Sequence, residues 1–266
     1  PAVQQAARLE VELAGYKDTS PEAADLLAKI MDLYYSSGHV FGVIRTGQKF
    51  TARQSADKRH QAMMLKLLDG LEAVSRNEEI ITTCRQFLDR YPNDPASASV
   101  EVRLARTLER GDRLAGAGAW QAVWRRQGNT AAGREAGARA LGLCESLRSG
   151  EAVKLANEIA GEMVDKLPAT ELTGEIGMRA FNLLASAGQY AEANSLANKM
   201  LAKGKPADKV LLRTLHRRMA YNYQQVRQYA NAAVSLKKAL AIEGDGDLQS
   251  QLVLLLHQAQ APPAEL

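Results

Sequence analysis

The helical periodicity of this 266-residue chain breaks at a nearly constant interval. Tight turns are expected near Gly38, Asn77, Gly111, Gly150, Gly188 and Arg227, at intervals of 39, 34, 39, 38 and 39 residues. A period in this range marks a helical solenoid. One helical hairpin cannot bury its own apolar face, so neighbouring hairpins stack and share a core.

The segments between the breaks read at helical spacing, and none alternates like a strand. Ala and Leu are abundant and aromatic residues make up only 5% of the chain, which favours helix because Ala and Leu lose little on entering one. Ser20-Pro21-Glu22 is a helix start, combining a capping hydroxyl, a first-turn proline and an acid at the positive end of the dipole. Tyr91-Pro92-Asn93-Asp94-Pro95 ends one helix and opens another. Gly111, Gly150 and Gly188 read as C-terminal punctuation. Lys205-Pro206 opens a helix, and Ala261-Pro262-Pro263 reads as a frayed tail. The expected hairpins cover roughly 21–52, 56–92, 95–128, 131–167, 170–204 and 206–243, with a capping helix at 247–259 and one solenoid spanning 1–266.

The last two repeats are self-similar. Gly188-Gln189-Tyr190-Ala191-Glu192-Ala193 is followed by Leu201, and Arg227-Gln228-Tyr229-Ala230-Asn231-Ala232 by Leu240 at the same offset. On these residues, together with Ala220, Tyr223, Leu236 and Ala239, the segment 216–243 resembles the tetratricopeptide (TPR) family. Residues 188–201 resemble the second half of its motif, whereas Phe181 stands where a small residue is usual. Phe87 through Pro95 resembles helix ends in bacterial envelope TPR proteins, and 96–166 follows the period without the motif. The resemblance implies an all-α, right-handed superhelical α-solenoid of about six TPR-like hairpins plus terminal helices. It also implies a non-enzymatic scaffold for protein–protein interaction. In the family the first helix of each hairpin lines the concave groove. By that resemblance Asn182 and Ser186 face the groove in the fifth repeat, and Arg217, Tyr221 and Gln224 in the sixth. The envelope likeness implies a bacterial periplasmic setting, such as a secretion or exopolysaccharide-export assembly.

No pattern of catalytic residues emerges. His39, His60, His216 and His257 do not sit at metal-ligand spacing, so neither a metal nor another cofactor is expected. Ala115-Gly116-Ala117-Gly118 lacks the lysine and preceding strand of a phosphate loop and reads instead as a close helix contact. Glu78 and Glu79 suit a helix dipole. Cys84 and Cys144 fall two hairpins apart, beyond disulfide reach, and are expected as buried thiols. Trp120 and Trp124 are expected to pack between hairpins, although they and Tyr34 and Tyr35 could also stack on sugars or bases. No apolar run approaches the ~20 residues of a membrane span. The chain opens on Pro1, which predicts a processed chain or a fragment.

Charge supplies the functional hint. The net charge of +4 falls short of a dedicated nucleic-acid binder. Yet residues 101–150 hold nine arginines, no lysine and five acids. Arg103, Arg106 and Arg110 share one helix face, and Lys209, Arg213 and Arg217 another. Like charges at this spacing repel and are eased by an anionic partner. Two partners fit: another protein, as a peptide segment or assembly subunit, or an anionic polymer such as acidic polysaccharide or nucleic acid. A solvated basic face with no partner is the plainer reading.

Overall fold

A computed structural model describes residues 1–169, 171–204 and 208–260. The expected helix start at Lys205-Pro206 and the tail at 261–263 lie outside these. The described residues form fourteen helices and no strand: α1 (Ala2–Leu13), α2 (Pro21–Ser36), α3 (Val40–Arg53), α4 (His60–Ala73), α5 (Asn77–Arg90), α6 (Ser97–Gly111), α7 (Arg113–Gln127), α8 (Ala131–Leu147), α9 (Gly150–Lys166), α10 (Glu171–Ser186), α11 (Tyr190–Lys203), α12 (Lys209–Gln225), α13 (Tyr229–Leu240) and α14 (Gly246–Gln260). The fold is all-α. The chain divides into two compact units, Pro1–Ala119 and Trp120–Leu266, and the division falls within α7.

In the first unit, each helix from α1 to α5 packs on the next in sequence, and α2 also touches α4. In the second, α8 to α13 do the same, with added contacts of α8 with α10 and of α9 with α11. This packing is the nearest-neighbour stacking of an α-solenoid.

Four hairpin turns share one backbone motif. The N–H groups of His39, Arg76, Gln189 and Gln228 bond back to the carbonyls of Tyr34, Leu71, Leu184 and Tyr223 at 2.8–3.1 Å. These are the six-to-one bonds of a Schellman turn, which needs one left-handed residue just past the helix. Gly38 and Gly188 fill that position in two turns, and Ser75 and Arg227 in the others, with φ of 55° and 58°. The turn expected near Asn77 is therefore centred on Ser75, and Asn77 opens α5. In the fourth hairpin Arg148 takes the left-handed conformation at φ 51°, and Ser149 caps the next helix through a 3.2 Å bond from the Ala152 N–H. Gly150 thus begins α9 rather than ending α8. Gly111 does end α6, without a left-handed φ.

Capping side chains set the other starts. Ser20 accepts from Ala23 at 3.2 Å ahead of Pro21, Thr130 from Gly133 at 3.0 Å, and Asp208 from Val210 at 2.8 Å. Helix α1 has no side-chain cap and was not anticipated from the sequence. It is held by its packing on α2, with Ala6 and Leu13 buried. The first core runs from Ala6 to Val100 and includes Phe50, Leu68 and Phe87; a core of the second unit joins Ala220, Ala232, Leu236, Leu248 and Leu255. Trp120 and Trp124 are buried in the second unit.

Gly116 fits the expectation of close packing. A Cβ there would lie 2.6 Å from the Glu109 backbone, whereas one on Gly118 would meet nothing within 4 Å.

Polar contacts between stacked hairpins repeat at one spacing. Asp32 pairs with Lys66, Asp69 with Arg103, Glu145 with Arg179 and Asp165 with Lys199, each 34 positions on. Each joins corresponding helices of successive hairpins: α2 to α4, α4 to α6, α8 to α10 and α9 to α11.

Candidate functional site: a basic depression in the second unit

Helices α10, α12 and α14, with Tyr190 at the start of α11 and Leu236 of α13, enclose an open depression of about 710 Å³. Its floor is apolar and comes from buried Phe181, Ala220, Leu236, Leu248 and Leu255. Small Ala220 lets α12 approach its neighbours, and Leu248 and Leu255 sit two turns apart on the docked face of α14. Polar groups form the rim: Asn182, Ser186, Arg217, Arg218, Gln224 and Gln251. Tyr190 and Tyr221 meet edge to face at 6.3 Å along it, and the Tyr221 ring stays 54% exposed.

Five residues expected to face a groove, Asn182, Ser186, Arg217, Tyr221 and Gln224, line this one depression. Lys209 and Arg213 do not line it. Lys209 is exposed at the first position of α12. Arg213 turns away, donating to Glu243 at 2.6 Å and Asp245 at 2.9 Å, and is only 18% exposed at its side chain. It thus ties α12 to the connection between α13 and α14.

Asp245 is fully engaged beside the site. It accepts the backbone N–H groups of Asp247 (3.0 Å) and Leu248 (3.3 Å), capping α14, as well as the Arg213 contact. The bond from Leu248, aided by those from Asp247 and by the charges of Arg213 and Arg217, holds its carboxyl below the ordinary range. Among the described residues none of those lining the depression is a carboxylate. Arg218 donates to the Asn182 side chain, and Arg217 has no ion pair among the described residues.

Behind the rim, Asn222 donates to Asn194 at 3.2 Å, and Asn194 donates to the Met219 carbonyl at 3.2 Å. Both side chains are buried, so this satisfied pair fixes α12 against α11. Arg218, next to Arg217 in the basic stripe, also lines the depression, as do Tyr190 and residues of α14, which were not expected at a groove. The seven-residue spacing of Leu248 and Leu255 was the available signal that α14 presents a docked face.

Of the other expected basic face, one member of three is paired within the fold. Arg103 donates to Asp69 at 2.7 Å and lies 3.4 Å from Glu72, so it acts as a strut between α4 and α6. Arg106 and Arg110 remain exposed. Elsewhere in the arginine-rich stretch, Arg125 forks onto Glu162, Arg134 donates to the Asn129 carbonyl, and Arg139 covers the Trp120 ring. Part of that charge is therefore committed within the fold.

His39 and His60 have structural places. His39 caps α3 through Nδ1, which accepts from Gly42 at 3.0 Å, and stacks on Tyr34. His60 is buried, with Nδ1 2.9 Å from the Tyr91 hydroxyl and Nε2 3.2 Å from the Thr51 carbonyl. Cys84 and Cys144 are free and buried. Among the described residues no group of His, Cys, Asp and Glu could hold a metal ion, and no helix is long and apolar enough to cross a membrane.

No known family profile matches the chain, and no curated protein matches it. Solved helical-repeat structures do. A tetratricopeptide repeat protein of Parabacteroides merdae is 12% identical, with 96% of this chain and 92% of that one covered, at a TM-score of 0.40. A thermophilic TPR protein of Thermus thermophilus is 16% identical over 74% of this chain and 99% of its own, at 0.33. The TPR2AB domain of yeast Sti1, solved in complex with pHSP90, is 14% identical over 91% and 100%, at 0.35. The fold assignment itself stands on the chain's own helices: an all-α, TPR-like arrangement of hairpins.

Proposed function

We propose that the protein is a non-enzymatic scaffold that docks a segment of a partner protein in the depression between α10, α12 and α14. One observation carries this reading. An apolar floor is ringed by hydrogen-bonding and cationic side chains, with no carboxylate among the described lining residues. An open hollow of this kind suits a segment that brings both a side chain to bury and polar atoms to pair. Helix pairs with buried polar locks, such as Asn194 with Asn222, keep the walls in place before a partner arrives, which lowers the cost of binding.

The anionic-polymer reading is weaker on the same grounds. A polymer of uniform charge would gain from a continuous basic track. Arg103, Arg125 and Arg134 are instead occupied within the fold. The likeness of 87–95 to envelope repeat proteins extends the proposal to a secretion or exopolysaccharide-export assembly as the setting.

Site-specific photo-crosslinking tests the docking site. A benzophenone amino acid at Tyr221 should capture the partner, while the same group at Phe41, 66% exposed in the first unit, should not. Equal capture from both positions would refute the assignment.

A further inference from the structure

Resting on that docking site, we infer that its occupant is an internal peptide segment in which an acidic side chain lies next to a bulky apolar one. The carboxylate meets Arg217 and the apolar group enters the floor between Ala220, Leu248 and Leu255.

Charge complementarity selects the acid. Asp245, the acid whose field reaches Arg217, already spends its oxygens on Arg213 and on the first turn of α14. Arg213 is removed from the rim by that same contact, whereas Arg218 stays on it with one N–H given to the neutral Asn182 side chain. Arg217 and Arg218 are rim cations without an ion pair among the described residues, beside a hollow without a carboxylate, and Arg217 is the one that makes no side-chain bond to them. A segment bearing Lys or Arg would place like charges together with no lining carboxylate to offset them. A carboxylate gains a charge-assisted contact of the fork type that guanidinium groups favour.

The floor selects the apolar neighbour. It lies within one short reach of Arg217, because Ala220 is one turn further along α12. Helix α14 is therefore a wall of the site as well as the terminal layer of the core. Arg213, which fastens the turn before α14, is a positioning residue for that wall. The hollow between α9 and α11 is a contrast within the same unit: its lining sets Glu158, Glu162, Asp165 and Glu192 against the single cation Lys199.

The test uses the full chain and a random twelve-residue peptide library displayed on phage, selected at low and at physiological salt. Enriched sequences should pair Asp or Glu with Leu, Ile, Phe or Met. Synthesised with blocked ends, they should bind about tenfold more weakly to Arg217→Glu and to Arg217→Gln than to the unaltered protein. Binding should also be lost on Ala185→Trp, which fills the hollow from α10. Neutral or basic enriched sequences, or acidic ones indifferent to both Arg217 substitutions, would overturn the inference while leaving the docking site standing. Peptides indifferent to Ala185→Trp, or no enrichment at all, would overturn the docking site as well.

Discussion

Asp69 of α4 accepts a hydrogen bond from Arg103 of α6 at 2.7 Å and another from the Tyr35 hydroxyl of α2 at 2.6 Å, so one carboxylate ties together the first helices of three successive hairpins. Both partners lie 34 positions away, one before and one after. The side chains are about a third exposed, which screens the ion pair. A double-mutant cycle on Asp69→Asn and Arg103→Gln should therefore give a coupling of about 0.5–1 kcal/mol by denaturant unfolding. Additive losses would show that the two groups do not cooperate. Binding of an anionic polymer, if any is measured, should not depend on Arg103.

Two glycines of α7 should respond in opposite ways. Gly116→Ala puts a methyl against the Glu109 backbone, which cannot swing aside, and should destabilise by about 1–3 kcal/mol. Gly118→Ala meets open space and gains helix propensity, so it should be neutral or stabilise by up to about 1 kcal/mol. Thermal unfolding of the two variants beside the parent measures both; equal effects would contradict the packing at Gly116.

The His60 imidazole should make stability fall in mild acid. Burial, with the Arg90 charge adding to it, pushes its pKa below the ordinary 6.5, against opposing effects of the Thr51 carbonyl and Asp57. The unfolded chain then takes up a proton before the folded one does. Stability is unaffected above pH 6.5 and is lost as the pH falls from there towards the folded pKa. Protonation would also turn Nδ1 into a donor towards the Tyr91 hydroxyl. Urea midpoints between pH 5 and 8 should show this slope in the parent and lose most of it in His60→Asn. An unchanged slope in the variant would assign the effect elsewhere.

The thiols should be silent in the native protein. Burial pushes Cys84 up to about 12 and Cys144 up to about 11, so thiolate is scarce as well as inaccessible. Labelling by an aromatic disulfide reagent at pH 8 should proceed only as fast as the chain opens, and should become immediate in denaturant. Rapid native labelling of either cysteine would contradict its placement in the core.

The sequence carried the hairpins clearly where local chemistry signals them. Ser20-Pro21 marks a helix start by its own hydrogen-bonding logic, and Gly38 and Gly188 mark left-handed turns because glycine adopts them freely. Ser75 and Arg148 carry no such mark, since neither serine nor arginine favours the left-handed conformation that these two turns adopt. Helix α1 is likewise unmarked: without a capping side chain, only its contact with α2 defines it. The site was half legible. Asn182, Ser186, Arg217, Tyr221 and Gln224, placed at a groove by the TPR resemblance and spaced along helix faces, line one depression. Arg103 and Arg213 follow the same pattern, yet their long side chains reach acids thirty or more positions away, a pairing that helical spacing alone does not encode. The contribution of α14 depends on how it folds back over α12 and α13, which again is a tertiary fact.

On the docking proposal, the hollow on α10, α12 and α14 receives a partner's segment. Amide hydrogen exchange of the full chain, with and without a saturating peptide from the displayed library, measures it most directly. Slowed exchange concentrated in 176–186, 214–225 and 248–256, with α2 to α6 unchanged, is the predicted result. Protection that falls instead on the first unit, or on the α9–α11 face, would contradict the account.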